Sequence, residues 1–368
     1  MEVLGIEAVN IRNSGGLKHL IFFLEGCSNS NFFKKIIVFT NSHTKSKLTH
    51  INNITIISKR SFNLPYYLYI FYQFLFFKRD LKFFKCDLVF VPGSIFLNNF
   101  PNVLMPQNML PFEKNELKRL KFSERLKLIL VGYAQKYSLK KTDGIIFLSN
   151  YAFSNISKYS PLSKKTIIPH GINDLGTNFK INSEFDSKNP MRLLYVSPLY
   201  SYKHHEKVIS AVNELIHEGL NIHYNIVGSG SKSAIISLKS KITNSNIHYV
   251  GGVSPNEISH YLSEADVFIF ASTCENLPIT LLEAMSHGLP IICSKFGVMP
   301  EILDNSSNFF FDPTNFESIK YVISKAYFDI DSLNLEAKRN LKLSKLYSWE
   351  TNIYKTNKFL REVYDERI

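Results

Sequence analysis

The stretch that most constrains this chain is residues 266–303, DVFIFASTCENLPITLLEAMSHGLPIICSKFGVMPEIL. Residues 266–271 are a short run of β-branched and aromatic side chains, the composition of a buried strand. A polar loop, residues 272–276, follows it. Asn276 is placed to cap a helix beginning near Leu277, Pro278 falls in its first turn, where a missing N–H is tolerated, and Gly288 ends it. Residues 290–293 read as a second buried strand, leading through a glycine loop to a further helix start at residues 297–301. Strand, loop, helix, strand in this order implies a parallel sheet whose loops gather at the strands' carboxyl ends.

Two carboxylates stand out in this unit. Glu275 lies in the loop and Glu283 eight positions later, on the helix. The amide N–H groups of Ile279 and Thr280 open that helix, and a helix N-terminus favours an anion such as a phosphate. Carboxylates are good partners for vicinal hydroxyls, so acids flanking a helix N-terminus suit a sugar joined to a phosphate. Spacing alone leaves the alternative open, a solvated loop acid and a surface helix acid.

The pattern ENLPITLLE, followed by AMSHGLPIICS and GVMPEIL, resembles the retaining glycosyltransferases of glycosyltransferase family 4, which have the GT-B fold. The resemblance implies that Glu275 faces the donor sugar, that Glu283 holds the ribose of the nucleotide, and that the backbone of Asn276, Leu277, Ile279 and Thr280 holds the sugar and diphosphate. The segment YVSPLYSYKHHEKVI resembles the family's strand and loop that carry an arginine and, six residues on, a lysine facing the diphosphate. Lys203 matches the lysine, whereas Ser197 stands at the arginine's place, with Lys295 a possible compensating cation. Read without the family, Lys203 is a first-turn lysine of a helix over residues 203–217, and His204 and His205 are solvated. Gly228 and Gly230 resemble the family's second glycine loop near the nucleotide. Gly15 and Gly16, after the first strand, match a glycine loop facing the donor phosphates, although a plain tight turn would look the same. Gln107 and Asn108 fall where many members place a histidine, which makes them acceptor-side candidates; Gln107 can donate a hydrogen bond but cannot shuttle a proton.

Elsewhere the chain alternates strands and helices. Strands are expected at residues 3–9, 35–39, 54–57, 87–91, 103–106 and 144–148, then at 192–196, 222–227 and 247–250. This is the pattern of doubly wound sheets. At 368 residues there is room for two domains. The expected architecture is α/β, GT-B, with two Rossmann-like doubly wound domains facing across a cleft. An acceptor-binding domain would span residues 1–171 and a donor-binding domain residues 172–350. IIPHGIN resembles the family's hinge, and a polar linker runs on to Pro190. Residues 351–368 would form a helix that packs back on the first domain, anchored near Trp349.

Composition narrows the partners. Residues 1–180 carry 25 Lys and Arg against 10 Asp and Glu, while the remainder is slightly acidic. Residues 114–141 hold nine basic and two acidic residues with Leu126, Leu130, Tyr133 and Tyr137 at helical spacing. A basic amphipathic helix of this kind suits an anionic membrane surface or a phosphate-bearing acceptor, and equally an ordinary solvated face. No nucleic-acid motif accompanies the charge. Residues 64–77 are nearly all apolar but shorter than the roughly 20 that span a bilayer, so a buried or interfacial helix is expected. The start of the chain shows no signal-peptide pattern. Cys27, Cys86, Cys274 and Cys293 have no metal-type spacing, which fits a reducing compartment and no metal site.

The resemblance thus implies transfer of a glycosyl unit, with retention, from a nucleotide diphosphate sugar as co-substrate to a hydroxyl of a glycan or lipid-linked acceptor. No metal or other cofactor is needed for that, and the reaction would serve cell-surface polysaccharide assembly in the cytoplasm or at the inner face of its membrane. Lys203 and Glu275 are the expected catalytic pair. Two competing readings are a non-catalytic GT-B scaffold that binds nucleotide or sugar, and a nucleotide-sugar epimerase or hydrolase sharing the fold.

Overall fold

In the computed structural model, residues 1–12, 14–30, 32–173 and 184–367 are described. Most of the expected linker, residues 174–183, and position 13 of the first glycine loop lie outside them. The chain divides into two units, Met1–Gly171 with Ser348–Ile368, and Ile172–Tyr347.

Among the described residues the first unit is built on seven parallel strands: β1 Val3–Glu7, β2 Lys35–Phe39, β3 Ile54–Ile57, β4 Leu88–Val91, β5 Asn102–Leu104, β6 Gly144–Phe147 and β7 Lys164–Ile167, in the order β3-β2-β1-β4-β5-β6-β7. The second has six: β8 Met191–Val196, β9 Ile222–Val227, β10 Ile247–Gly251, β11 Val267–Phe270, β12 Ile291–Ser294 and β13 Phe310–Phe311, in the order β10-β9-β8-β11-β12-β13. Each order starts from a central first strand and reverses beside it, which is the doubly wound arrangement. The expected strands are present with ends shifted by a residue or two. The sequence reading missed β7, whose KKTI carries two lysines, and the two-residue β13.

Aspartates set the register at three strand starts. Asp87, just before β4, accepts from the backbone N–H of Glu2 and Val3 through Oδ2, at 2.7 and 2.9 Å. Asp143, before β6, accepts from Asn102 N at 2.9 Å. Asp266, before β11, accepts from Arg192 N at 2.8 Å and from its guanidinium at 2.7 and 2.9 Å. A strand's first N–H has no ladder partner, so a carboxylate from the neighbouring strand both satisfies it and locks the pairing.

Two expected helices are divided. Residues 64–77 do not form a single helix. They contribute to two, Tyr66–Leu75 and Phe77–Phe83, in which Tyr69, Gln73, Phe77 and Leu81 face the core while Tyr67, Phe71, Phe74 and Phe83 stand out in solvent. The basic stretch breaks at Leu120 and Lys121, both extended, into Lys114–Arg119 and Phe122–Lys141. Among the described residues no helix is long and apolar enough to cross a membrane. The final helix, Trp349–Asp365, packs in the first unit: Trp349 stacks on Phe22 at 4.8 Å between ring centroids, and Cys27 Sγ donates to Asn357 Oδ1 at 3.2 Å. All four cysteines are buried and free.

Candidate functional site

In the second unit the strand order reverses between β8 and β11, and a crevice opens beyond the carboxyl ends of such a pair. The two loops that follow these strands are stitched together. Thr273 N donates to Tyr202 O at 2.9 Å, and Thr273 Oγ1 lies 3.1 Å from His204 Nε2. Lys203 Nζ, from the first loop, is ion-paired with Glu275 Oε1 from the second. Both side chains are largely buried, at 8% and 14% exposure. The ammonium also stands 4.7 Å from the centroid of the Phe270 ring and 5.6 Å from that of Tyr202. A carboxylate and two ring faces are what lets a lysine keep its charge out of water.

Lys203 is not the first-turn helix residue the sequence indicates. It ends a 3-10 turn, Ser201–Lys203, and His204 in the left-handed region (φ 50°) turns the chain before the helix His205–His217 begins. Nor is His205 solvated, while His204 is half-buried. His205 is buried, its ring lies 4.2 Å from that of Tyr195, and its Nε2 is 2.9 Å from Ser197 Oγ. Burial, with the nearby Lys203 charge, pushes its pKa down to about 3, so the imidazole is neutral. Tyr195 Oη in turn donates to the carbonyl of Lys203 at 2.9 Å. Ser197, at the expected arginine's place, is thus a buried hydrogen-bond partner of His205. Lys295, the candidate substitute, is 3.4 Å from Asp312.

The helix after Glu275 is Ile279–Ser286, capped at its start by Pro278 and not by Asn276. An extended Pro278 (φ −75°, ψ 110°) already supplies the entry angle, leaving Asn276 buried in the loop. Gly288 (φ 72°) ends the helix, with Gly288 N donating to Met285 O at 2.9 Å and Leu289 N to Ala284 O at 3.1 Å, a Schellman motif. Leu277 and Ile279 are buried, while Thr280 and Glu283 are half-buried. Ile279 and Thr280 carry first-turn N–H groups that a helix cannot satisfy internally.

Gly228 and Gly230 serve the loop itself. A Cβ on Gly228 would lie 1.9 Å from the carbonyl oxygen of Ser197, and one on Gly230 would lie 2.8 Å from Leu199 Cβ. Their missing side chains let the loops after β8 and β9 close on each other.

In the first unit Gly15 and Gly16 lie in the first turn of the helix Ser14–Ser28. Gly16, Gln107 and Asn108 line one pocket of about 510 Å³ beyond β1 and β4; Gly15 is not among its lining residues. A Cβ on Gly16 would meet Gln107 Oε1 at 2.9 Å. The same pocket is lined by Glu7, Arg12, Tyr66 and Gln135, which sequence reasoning missed. Glu7 is buried, and its Oε1 accepts from Tyr69 Oη at 2.8 Å and from Val9 N at 3.2 Å. Burial pushes its carboxyl up to about 7, partly offset by those two donors. An acid ending an otherwise apolar strand, VLGIE, was the available signal. Among the described residues no three His, Cys, Asp or Glu side chains gather as a metal-binding group.

Residues 177–340 match the family model described as glycosyl transferases group 1. The amylovoran biosynthesis glycosyltransferase AmsK of Erwinia amylovora is 30% identical over 156 residues, 40% of this chain and 37% of its own length. Protein CapJ of Staphylococcus aureus is 26% identical over 45% of this chain and 42% of its own. The chain therefore spans less than half the length of these relatives. Among solved structures, sucrose-phosphate synthase from Thermosynechococcus elongatus superposes with a TM-score of 0.77 at 14% identity, covering 100% of both chains. The two parallel-sheet units are those of the GT-B fold, and the group 1 glycosyl transferase model falls wholly within the unit that carries Lys203, Glu275 and Glu283.

Proposed function

We propose that the chain is a retaining glycosyltransferase of the family 4 type that uses a nucleotide diphosphate sugar. The observation that carries this reading is the buried Lys203–Glu275 pair at the switch point, directly before a helix whose first N–H groups belong to Ile279 and Thr280. Glu275 accepts from a hydroxyl of the donor sugar, Glu283 from the ribose, and the amides of Asn276, Leu277, Ile279 and Thr280 take the diphosphate together with Lys203. The bond from the anomeric carbon to the phosphate oxygen breaks while the acceptor hydroxyl bonds to the same face of that carbon, and the hydroxyl proton passes to the departing phosphate. No side chain is required as a base in that scheme. Stabilisation of the leaving diphosphate is then the main catalytic contribution, and the Ser197–His205 contact holds the loop that presents Lys203.

The acceptor is a glycan or lipid-linked glycan in cell-surface polysaccharide assembly, and the reaction takes place at the cytoplasmic face of an anionic membrane. What supports this is the name of the AmsK relative and an exposed stripe on the helix Phe122–Lys141. Phe122, Leu126, Leu130, Tyr133 and Tyr137 all stand in solvent along it, beside its lysines.

Thermal melting of the full chain with a panel of nucleotide sugars tests the donor site, with Glu283→Ala run beside it. A ligand at about 100 times its Kd adds roughly 2.7 kcal/mol to the folded state. One nucleotide should raise the wild-type melting point and leave the variant unshifted. No shift with any of them removes the donor site from this reading.

A further inference from the structure

His204 holds a backbone conformation that suits glycine. Among the described residues, the other non-glycine residues with positive φ are Asn53, Lys85, Asp304 and Asn305, and all four are exposed. His204, at φ 50° and ψ 29°, is instead half-buried, between the 3-10 turn that ends on Lys203 and the helix His205–His217. Its carbonyl accepts from the N–H of Lys207 at 3.1 Å and of Val208 at 3.3 Å, so the turn cannot relax without disturbing the helix start. Glycine takes up such a conformation freely and a residue with a Cβ does so under strain. Strain of this kind persists where the surroundings over-determine it, and here the surroundings act on the imidazole.

The imidazole belongs to a directed chain of hydrogen bonds. Thr273 Oγ1 lies 3.3 Å from Tyr202 O and 3.1 Å from His204 Nε2. A threonine hydroxyl has one hydrogen to give, and a carbonyl can only accept. That hydrogen goes to Tyr202 O, so the ring nitrogen is the donor and His204 carries a hydrogen on Nε2. Thr273 N also donates to Tyr202 O, at 2.9 Å. The loop after β11 is thereby tied to the residues on both sides of Lys203. Two positions beyond Thr273, Glu275 receives the Lys203 ammonium.

We infer that His204 is a positioning residue, whose left-handed backbone and Nε2–H bond to Thr273 hold Lys203 against Glu275 before any ligand arrives. The inference rests on the transferase reading for what the lysine is held to do, while the holding itself is a property of the two loops. A residue that merely stabilised the fold would behave differently on substitution, because glycine at this position removes the backbone strain together with the imidazole.

Trace acetylation of the full chain with acetic anhydride, read by mass spectrometry, reports how well Lys203 is held, since an amine must lose its proton to react and a carboxylate partner opposes that. His204→Gly should raise the rate at Lys203 by roughly fivefold, the effect of one hydrogen bond. Its melting point should stay within about 2 °C of the wild type. Thr273→Val should raise the rate equally, and the double variant no further, because both substitutions remove the same bond. His204→Gln, whose Nε2 lies as many bonds from the backbone and carries hydrogens, should keep the wild-type rate. A wild-type rate in His204→Gly and Thr273→Val, additive effects in the double variant, a raised rate in His204→Gln, or a clear fall in the melting point of His204→Gly overturns the inference. Calorimetric titration with UDP, GDP and ADP adds the functional arm. The nucleotide that binds the wild type should bind His204→Gly roughly fivefold more weakly and His204→Gln unchanged, and equal binding by His204→Gly overturns the inference as well. If none binds the wild type, it is the transferase reading that fails, and the acetylation rates still decide the role of His204.

Discussion

Lys203 and Glu275 reach each other from loops that follow two adjacent parallel strands, and each side chain is more than four-fifths buried. Removing one partner of such a pair leaves the other as an uncompensated buried charge, which costs about 3–5 kcal/mol. Glu275→Ala should therefore lower stability by that order in urea unfolding, and Glu275→Gln by less. The double variant Lys203→Met with Glu275→Leu should regain most of the loss, since no charge is left unpaired, yet should show no melting shift with nucleotide sugar. A double variant as unstable as Glu275→Ala would mean that the pair is structural beyond its charges.

Restoring the arginine at position 197 should not improve the protein. Ser197 is 3% exposed, its Oγ is bonded to His205, and its carbonyl oxygen sits against Gly228. A guanidinium there must displace the imidazole or push the β8 and β9 loops apart, and overpacking costs about 1–3 kcal/mol before the buried charge is counted. Ser197→Arg should melt lower than wild type and bind nucleotide sugar no better. Ser197→Arg combined with His205→Ala makes room, and it is the variant in which a gain in donor affinity would appear.

Glu7 makes stability depend on pH. In the folded chain its carboxyl titrates at about 7, against the ordinary 4.5. Between those values the folded state holds a proton that the unfolded state has lost. Stability therefore falls as pH rises from about 4.5 to about 7 and is level above that. The shift corresponds to roughly 3 kcal/mol. Tyr66 and Tyr69, which face it from the neighbouring helix, stay neutral throughout, since burial and Glu7 itself push both up. Glu7→Gln should be the more stable protein at pH 8 by about that amount and should lose the slope, as measured by urea unfolding at a series of pH values.

The alternation of buried runs and glycine-marked helix ends made both sheets legible, because a doubly wound sheet writes each strand locally. The loops at residues 197–204 and 271–278 were legible only through a familiar pattern. Their geometry was not, since it depends on contacts between segments some seventy residues apart: Thr273 on Tyr202, Lys203 on Glu275. For the same reason His205 looked like one of a solvated pair. Its burial comes from Tyr195, which packs on it from β8, and periodicity in its own helix carries no trace of that. Glu7 shows the opposite case, a visible violation of a buried strand's composition whose meaning depends on where Gln107 and Gln135 lie.

The exposed apolar stripe on Phe122–Lys141 gives a prediction in which two effects can be separated. Leu130 is 61% exposed and Tyr133 67%, and Lys136 lies 5.6 Å from the Tyr133 ring centroid. Basic side chains near an anionic surface contribute about 1 kcal/mol each and are screened within a Debye length, whereas inserted apolar side chains are insensitive to salt. Binding to phosphatidylglycerol-containing vesicles should be measurable by co-sedimentation at low salt and weaken as salt rises. Leu130→Asp with Tyr133→Asp should lower it at every salt concentration, while Lys127→Gln with Lys140→Gln should lower it only at low salt. Vesicle binding that neither pair alters would move the membrane contact away from this helix, to the aromatic face of Tyr66–Leu75, where Tyr67 and Phe71 are equally exposed. No vesicle binding at low salt would remove the membrane from the proposed function and leave a glycan free in solution as the acceptor.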